Sequence, residues 1–346
     1  MRAFSHLFFY LFVEMFMKEN EFYCENGSLG KRKCAIIGCG FVGATTAYTL
    51  LQSRLFTDMV LIDIDKKKAE GEAMDMAQAL PFVSPMNIYA GDYCDLKDAG
   101  IIIITAGANQ RPGQTRTELV KTNVEIFGSI VSKITKYSKD AVLIVVTNPV
   151  DVLTYVTLKI SGFPKERVIG SGTVLDTARL KQLVGEHLGV DPRNVHSFIL
   201  GEHGDSEVAV WSSANISGID LDEFCDTTCA DCSQRTLRML FDDVRNSAYR
   251  IIEAKGVTNY AIAEAVRRIV SAIVRDENTV LPVSALVDGH YGLTDVCLGV
   301  PCIVGAGGIH KVLDIPLDED ENEMLQRSAS GLKELISSVG YSNVEI

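Results

Sequence analysis

The chain lacks an excess of positive charge. Its 346 residues include 33 lysines and arginines against 45 aspartates and glutamates, which gives a formal net charge of −12. General nucleic-acid binding needs a basic face, so this balance argues against a nucleic-acid partner. Because the mean field would repel an anionic substrate, such a substrate would have to be held by a few arginines placed locally.

The chain also lacks an apolar run long enough to span a membrane. The apolar stretch at residues 3–17 is shorter than the roughly 20 residues that a bilayer requires, and Glu14 interrupts it. We expect no membrane span, and we expect residues 1–30 to be an N-terminal extension outside the fold, with the natural chain beginning at Met17. The alternative is a short amphipathic arm that is used in packing or lies on a membrane surface.

A regular cysteine pattern is absent as well. Nine cysteines at irregular spacing argue against a disulfide framework and favour a reducing, cytoplasmic compartment. Cys229 and Cys232 have the C-x-x-C spacing of some metal sites. No histidine or cysteine follows at the spacing of a fourth zinc ligand, so we expect no metal site.

The first half of the chain alternates short apolar runs with helical patterns. The apolar runs lie at 34–37, 59–63, 101–105 and 142–147. Continuous runs of this length are typical of strands buried on both faces of a parallel sheet. The periodicity between them predicts helices at 41–54, 66–80 and 117–137. This order predicts right-handed crossovers and a doubly wound α/β sheet, a Rossmann domain over residues 31–170.

The second half changes character and predicts a mixed α+β substrate domain over residues 171–346. Helices are predicted at 175–188, 235–255, 258–274 and 320–339. Shorter strands are predicted at 195–200, 207–211 and 301–305.

A glycine-rich turn, Gly38-Cys-Gly-Phe-Val-Gly43, follows the first predicted strand and opens a helix. In this G-x-G-x-x-G pattern Gly38 permits a tight turn, Gly40 lets the backbone approach a pyrophosphate, and Gly43 lets helix pack on strand. The helix N-terminus offers N–H groups and a positive dipole end to the phosphates. Asp63 ends the second predicted strand, where a carboxylate accepts hydrogen bonds from ribose hydroxyls and repels a 2′-phosphate. The motif therefore predicts a site for NAD rather than NADP.

Three polar residues farther along the chain suit hydroxy-acid chemistry. His203 lies in a glycine-flanked turn, residues 201–205, and histidine gives or takes a proton near neutral pH. Asp176 would fix the tautomer of His203 and favour its imidazolium form. Arg179 would make a bidentate contact with a carboxylate. Each residue alone has an ordinary explanation as a polar surface residue. The set, downstream of a nucleotide-binding motif, predicts a hydroxy-acid dehydrogenase.

Two loops complete the pattern. Thr147 and Asn148 follow the fourth predicted strand, and loops at the carboxyl ends of such strands face the ligand, so they would reach the nicotinamide side. The loop of residues 107–116 contains glycines and a proline, which suits a hinged lid.

Taken in this order, the motifs resemble the lactate/malate dehydrogenase family, most closely its bacterial L-lactate branch, from about residue 31 to residue 340. The resemblance implies reversible, NADH-dependent reduction of pyruvate to L-lactate at the end of glycolysis, by a cytoplasmic, allosteric homotetramer. Besides the glycine turn and Asp63, it implies cofactor contacts from Val42, Lys68, Tyr93, Gly107, Ala108, Ser129, Val146, Thr147 and Asn148.

The resemblance also implies roles for the polar residues. His203 would be the proton donor and acceptor, Asp176 would orient it, and Arg179 would hold the substrate carboxylate. Arg116, on the lid, would polarise the substrate carbonyl and help to exclude water. The remaining substrate contacts would be Asn148 and Thr258.

Gln110 would select the substrate. Malate dehydrogenases carry an arginine at the matching position, where it pairs with the second carboxylate of oxaloacetate. A neutral glutamine leaves that charge unpaired in a dry pocket, so pyruvate fits better. A one-residue change of loop register would present Arg111 instead, and malate or another 2-hydroxy acid would then be the substrate.

Three further interpretations follow from the chain. Relatives bind fructose 1,6-bisphosphate between subunits through an arginine and a histidine, and the matching residues here are Lys181 and His196. Lysine keeps the positive charge of arginine but lacks its planar pair of hydrogen-bond donors, so activation by this effector is left as an open alternative. Tyr155 and Lys159 have the Tyr-x-x-x-Lys spacing of short-chain dehydrogenases, but that family's glycine loop differs, so we interpret them as a helix contact. A non-catalytic NAD-binding protein should have lost parts of the site, whereas every position here carries a competent side chain.

Overall fold

The computed structural model describes residues 32–108, 116–228 and 230–341, without the side chain of Arg116. The predicted N-terminal extension, most of the predicted lid with Gln110 and Arg111, and Cys229 lie outside these ranges. Within them, no helix combines the length and the apolar character that crossing a bilayer requires.

The first half of the described chain alternates strands with helices, as the apolar runs predicted. Its strands are β1 (Lys33–Ile37), β2 (Asp58–Ile62), β3 (Asn87–Ala90), β4 (Ile101–Ile104), β5 (Val142–Val145) and β6 (Val168–Gly170). Its helices are α1 (Phe41–Ser53), α2 (Lys66–Gln78), α3 (Arg116–Tyr137) and α4 (Val150–Ser161). Every residue of β4 and β5 is buried, because helices cover both faces of the sheet.

The second half mixes helices with strands. Its strands are β7 (Val195–His196), β8 (Ile199–Leu200), β9 (Val208–Ala209), β10 (Asn215–Ile216), β11 (Ile219–Asp220), β12 (Thr279–Val287), β13 (Val296–Gly305) and β14 (Gly308–Val312). Its helices are α5 (Val174–Leu188), α6 (Leu221–Thr228), α7 (Gln234–Lys255), α8 (Tyr260–Val274) and α9 (Glu319–Ser338). Short 3₁₀ helices lie at Leu80–Phe82, Tyr93–Asp98, Lys165–Arg167, Pro192–Asn194 and His290–Gly292.

A large twisted sheet organises the molecule, with the order β14-β13-β12-β6-β5-β4-β1-β2-β3. The strands β1 to β6 pair in parallel in the order 3-2-1-4-5-6, so the predicted Rossmann arrangement is confirmed. The sheet continues past β6, because β12, β13 and β14 join it in antiparallel fashion, with Ser284 opposite Gly170. The two halves of the chain therefore share one sheet.

Two strand predictions need correction. The predicted strand at 195–200 is two short strands in different sheets, because β7 pairs with β10 whereas β8 pairs with β9. The predicted strand at 301–305 is the end of the longer β13, whose partner β12 was not predicted. Pro282 in β12 lies opposite Pro301 in β13, so both missing N–H donors fall on the same rung of the ladder.

In the described part of the chain, one disulfide joins Cys225, within α6, to Cys232. The irregular spacing argued against a disulfide framework, and five described cysteines are indeed free thiols. The pair comes together locally, because the chain turns back after α6 and the N–H of Ala230 donates to the carbonyl of Cys225. This single local disulfide was not predicted from the spacing of the cysteines.

Candidate active site

The glycine turn after β1 is shaped by close backbone contacts. Gly38 has a φ of +105°, and a Cβ there would lie 2.5 Å from the backbone nitrogen of Ala106. A side chain on Gly43 would overlap the carbonyl oxygen of Gly38. A Cβ on Gly40, in contrast, would meet no atom within 4 Å. The first and third glycines are thus required by packing, whereas the second borders open space that a ligand can approach.

Asp63 is fixed at the end of β2. Its Oδ2 accepts a hydrogen bond of 2.6 Å from the N–H of Cys39, and its Oδ1 accepts one of 2.9 Å from the N–H of Asp65. Asp65 serves a different purpose, since its side chain caps α2 by accepting from the N–H of Lys68. Asp63, unlike Asp65, lines a cleft at the ends of the parallel strands.

This cleft, of about 760 Å³, lies over the carboxyl ends of the parallel strands, where ligands of such sheets bind. Its lining includes seven of the predicted cofactor residues: Gly38, Gly40, Asp63, Lys68, Tyr93, Gly107 and Ser129. The predicted residues outside this lining are Val42, Gly43, Ala108, Val146, Thr147 and Asn148.

The cleft is also lined by lysines that the sequence reasoning did not single out, Lys66, Lys133 and Lys136. Lys66 is ion-paired with Asp92 at 2.9 Å, and the ammonium of Lys133 lies over the ring of Tyr93. Since Lys133 is one helical turn after Ser129, it could have been found from i, i+4 spacing on α3. These cations offset the acidic mean charge locally and favour an anionic ligand.

A buried asparagine ties the base of the predicted lid to the loop after β5. Asn123 on α3 accepts from the N–H of Ala108 at 2.7 Å and donates to the carbonyl of Asn148 at 2.9 Å. Thr147 donates its hydroxyl to the carbonyl of Ala106, and the peptide between Asn148 and Pro149 is cis. Asn123 was not predicted, because one polar residue on an apolar helix face leaves the periodicity intact.

The second part of the site is a histidine–aspartate pair. His203 Nδ1 lies 2.5 Å from Asp176 Oδ2, although the two residues are 27 positions apart. The other carboxylate oxygen of Asp176 accepts a 2.7 Å hydrogen bond from Arg179, one turn along α5. The backbone N–H of His203 donates to Asp151 on α4, three residues after Asn148. The structure thus brings together the three polar residues that the motifs predicted.

The electrostatics of the pair favour an ionised carboxylate beside an imidazolium. Burial lowers the pKa of His203, but the charge and hydrogen bond of Asp176 outweigh it and raise that pKa to about 9. Burial works against ionisation of Asp176 too, yet His203 and then Arg179 bring its pKa below its usual value. At neutral pH the imidazole is therefore protonated and ready to donate.

Comparison with known proteins identifies the family. Residues 32–170 match the NAD binding domain of lactate/malate dehydrogenase, and residues 173–341 match its alpha/beta C-terminal domain. The chain belongs to the lactate/malate dehydrogenase family. It is therefore an NAD-dependent oxidoreductase, as the motifs predicted.

Among the relatives of this dehydrogenase, the L-lactate dehydrogenase of Acetivibrio thermocellus is 56% identical over 309 residues, 89% of this chain and 97% of the relative. L-lactate dehydrogenase 1 of Clostridium acetobutylicum is 51% identical over 89% of this chain and 98% of its own length. The crystal structure of the minor L-lactate dehydrogenase of Enterococcus mundtii, in its ligands-bound form, superposes with a TM-score of 0.87 at 42% identity, covering 90% of this chain and 99% of that one.

The cleft of the dehydrogenase fits NAD on its own features. Gly40 leaves room for a pyrophosphate, and the lysines of the cleft supply positive charge for it. Asp63 presents a carboxylate, held by two backbone N–H groups, to a ribose.

The remaining predicted residues lie farther from the pair or outside the described chain. Thr258 is half-buried between α7 and α8, where no described contact links it to His203. Lys181 is half-buried on α5, where burial lowers its pKa, and His196 is exposed on β7. Gln110 and the side chain of Arg116 are outside the described residues, so their roles stay predictions.

Proposed function

We propose that this dehydrogenase is an L-lactate dehydrogenase that reversibly reduces pyruvate to L-lactate. The observation that carries the proposal is the Asp176 carboxylate held between His203 and Arg179. His203, on one oxygen of this carboxylate, can donate a proton to the substrate, and the guanidinium of Arg179, on the other oxygen, can bind the substrate carboxylate. The similarity to L-lactate dehydrogenases over most of the chain supports the same substrate.

Each polar residue has one task in the proposed reaction. When bound, NADH supplies the hydride that reduces the substrate carbon. His203 donates its proton to the carbonyl oxygen of pyruvate, and the Asp176 carboxylate holds the imidazolium in place beforehand. Arg179, 11% exposed, is desolvated enough for a bidentate contact with the substrate carboxylate to be strong. In the reverse direction, neutral His203 accepts the proton of the lactate hydroxyl.

Substrate choice is proposed to depend on the lid. Gln110 carries no charge to pair with a second carboxylate, so oxaloacetate would bring an uncompensated anion into the site. Arg116, at the start of α3, is proposed to polarise the carbonyl when the lid covers the site. The bond between Asn123 and Ala108 fixes the base from which this loop departs.

Steady-state NADH oxidation with pyruvate and oxaloacetate, assayed in parallel, tests this proposal. We expect a kcat/KM for pyruvate that exceeds the value for oxaloacetate by about 100-fold or more. Gln110→Arg is the matched variant and should shift the ratio toward oxaloacetate. A parent enzyme that prefers oxaloacetate would show that Arg111 or another cation reaches the substrate, and the lactate assignment would fail.

We also propose a cytoplasmic homotetramer with a Rossmann domain at 31–170 and a catalytic domain at 171–346. The large apolar side chains exposed on α1, α7 and α8 support burial against another subunit: Phe41, Tyr48, Met239, Tyr249, Ile252 and Tyr260. The five free thiols among the described residues support a reducing compartment. Light scattering tests the assembly, and a single-subunit mass would contradict it.

Fructose 1,6-bisphosphate is the proposed effector. Lys181 supports this role because it is a half-buried cation on α5, a helix that contacts the β7 strand carrying His196. Pyruvate reduction at subsaturating substrate should rise when the effector is added, and Lys181→Gln should abolish the rise. Equal rates with and without the effector in the parent enzyme would contradict this role.

A further inference from the structure

Glu207 is a buried carboxyl group that the proposed reaction does not use. It follows the turn that carries His203 and directly precedes β9, and the residue is only 4% exposed. Its Oε1 is buried and has no hydrogen-bond partner among the described residues. Ligand atoms of Glu207, Asp176 and His203 all lie within 4.8 Å of one another. A third titratable group therefore belongs to the same buried cluster.

The charges around Glu207 determine where a proton resides. The groups that face the cluster are Asp176 and Arg179 from α5, His203 from the turn, Arg245 from α7 and Asp151 from α4. Two buried carboxylates this close repel each other, so one of them tends to stay protonated. Asp176 has hydrogen bonds to both His203 and Arg179, whereas no cation among the described residues hydrogen-bonds to Glu207. The proton therefore goes to Glu207.

The pKa values agree with a proton on Glu207. Burial, and then the charge of Asp176, raise the pKa of Glu207 to about 8, against the opposing effects of His203 and the arginines. A divalent cation on the three ligand atoms is the competing explanation of the cluster. The guanidinium of Arg179 on Asp176 would repel such a cation, so a proton is the better counter-charge.

We propose that Glu207 is a positioning residue that is protonated in the substrate-binding form of the enzyme, and that its ionisation in alkaline solution switches off substrate binding. In the neutral form it leaves Arg179 available to the substrate carboxylate. When it releases its proton to solvent, the new anion competes for Arg179 and repels the substrate. Glu207 and His203 then titrate as one unit that must hold two protons for pyruvate to bind. The kinetic part of this inference rests on the proposed function.

The pH dependence of kcat/KM for pyruvate at saturating NADH tests the two-proton requirement. The logarithm of kcat/KM should fall with a limiting slope of about −2 per pH unit in alkaline solution. In Glu207→Gln the slope should become about −1, because only His203 still titrates. Glu186→Gln is the matched control, since it removes one charge from an exposed position of α5, about 15 Å along the helix from Asp176. It should keep the parent slope.

A purely structural role for Glu207 would lower activity or stability without changing this slope. A parent slope of about −1 would overturn the proposal even if the Glu207→Gln variant failed to fold. A slope of about −2 that persists in a folded Glu207→Gln variant would overturn it too.

Infrared difference spectroscopy of the parent enzyme gives a readout that needs no turnover. Between about pH 7 and pH 9.5 the parent and Glu186→Gln should lose one carbonyl band of a protonated carboxyl group, and Glu207→Gln should lose none. Burial raises the pKa of Asp151 only to about 6, so Asp151 does not supply this band. A parent without the band would overturn the proposal. An enzyme that shows the band but does not reduce pyruvate would contradict the proposed function alone.

Discussion

Replacing Asp176 by asparagine keeps the size of the side chain and removes the charge on which His203 depends. The pKa of His203 is about 9, against an ordinary value of 6.5. This difference corresponds to about 3 kcal/mol in favour of the imidazolium. In Asp176→Asn, burial lowers the pKa of His203 against only the weaker charges of Asp151 and Glu207, so this pKa should return to its ordinary value or below. At neutral pH most of the histidine would then be neutral, and a neutral imidazole is a far weaker acid.

We expect kcat/KM for pyruvate at neutral pH to fall by about 100-fold or more in Asp176→Asn. The alkaline limb of its pH profile should move toward acid by at least about 2.5 units. The assay is steady-state NADH oxidation between about pH 5 and pH 10, with Glu186→Gln as the control for net charge on the same helix. NADH fluorescence should show unchanged cofactor binding. An alkaline limb within about half a unit of the parent would refute the reasoning.

Two further predictions concern the cofactor cleft. Gly38→Ala should lower the free energy of unfolding by about 2–4 kcal/mol in chemical denaturation, because the methyl group meets the Ala106 backbone at a positive φ. Gly40→Ala places its methyl group in open space, so it should weaken NADH binding with little loss of stability. Equal destabilisation by the two substitutions would contradict this difference. Asp63→Asn should weaken NADH binding and reduce the ratio of the affinity for NADH to that for NADPH, since it removes the charge that repels a 2′-phosphate. Titrations of both cofactors measure this ratio, and an unchanged ratio would contradict the role of Asp63.

The parallel half of the fold was predictable because its signals are local. The run Ile101–Ile104 is fully buried on both faces, and such a run has few alternatives to a central strand. The helix predicted at 66–80 does begin at Lys66, where Asp65 caps it. The strand β12 was not predicted, because a proline within a run normally indicates an edge or a loop. Its pairing with β13 is a tertiary fact that residues 279–287 alone do not contain.

The site, like the fold, has parts that a local motif predicts and parts that only tertiary contacts reveal. The glycine turn is a continuous motif, so its geometry follows from residues 38–43 and their neighbouring strands. The contact between Asp176 and His203 joins distant segments, so the chemistry of the two residues suggested the pair but only the fold gives their distance. Glu207 was missed because it is a single acid between a polar turn and a short strand, and only the fold buries it.

His203→Asn tests the central claim most directly, through NADH binding and pyruvate reduction measured on the same preparation. His203 lies outside the lining of the cofactor cleft, so the affinity for NADH should stay within about threefold of the parent. The kcat for pyruvate should fall by about 10³-fold, because asparagine cannot donate the proton. Retained turnover in a variant that binds NADH normally would contradict the assignment of His203, and with it the account of the site.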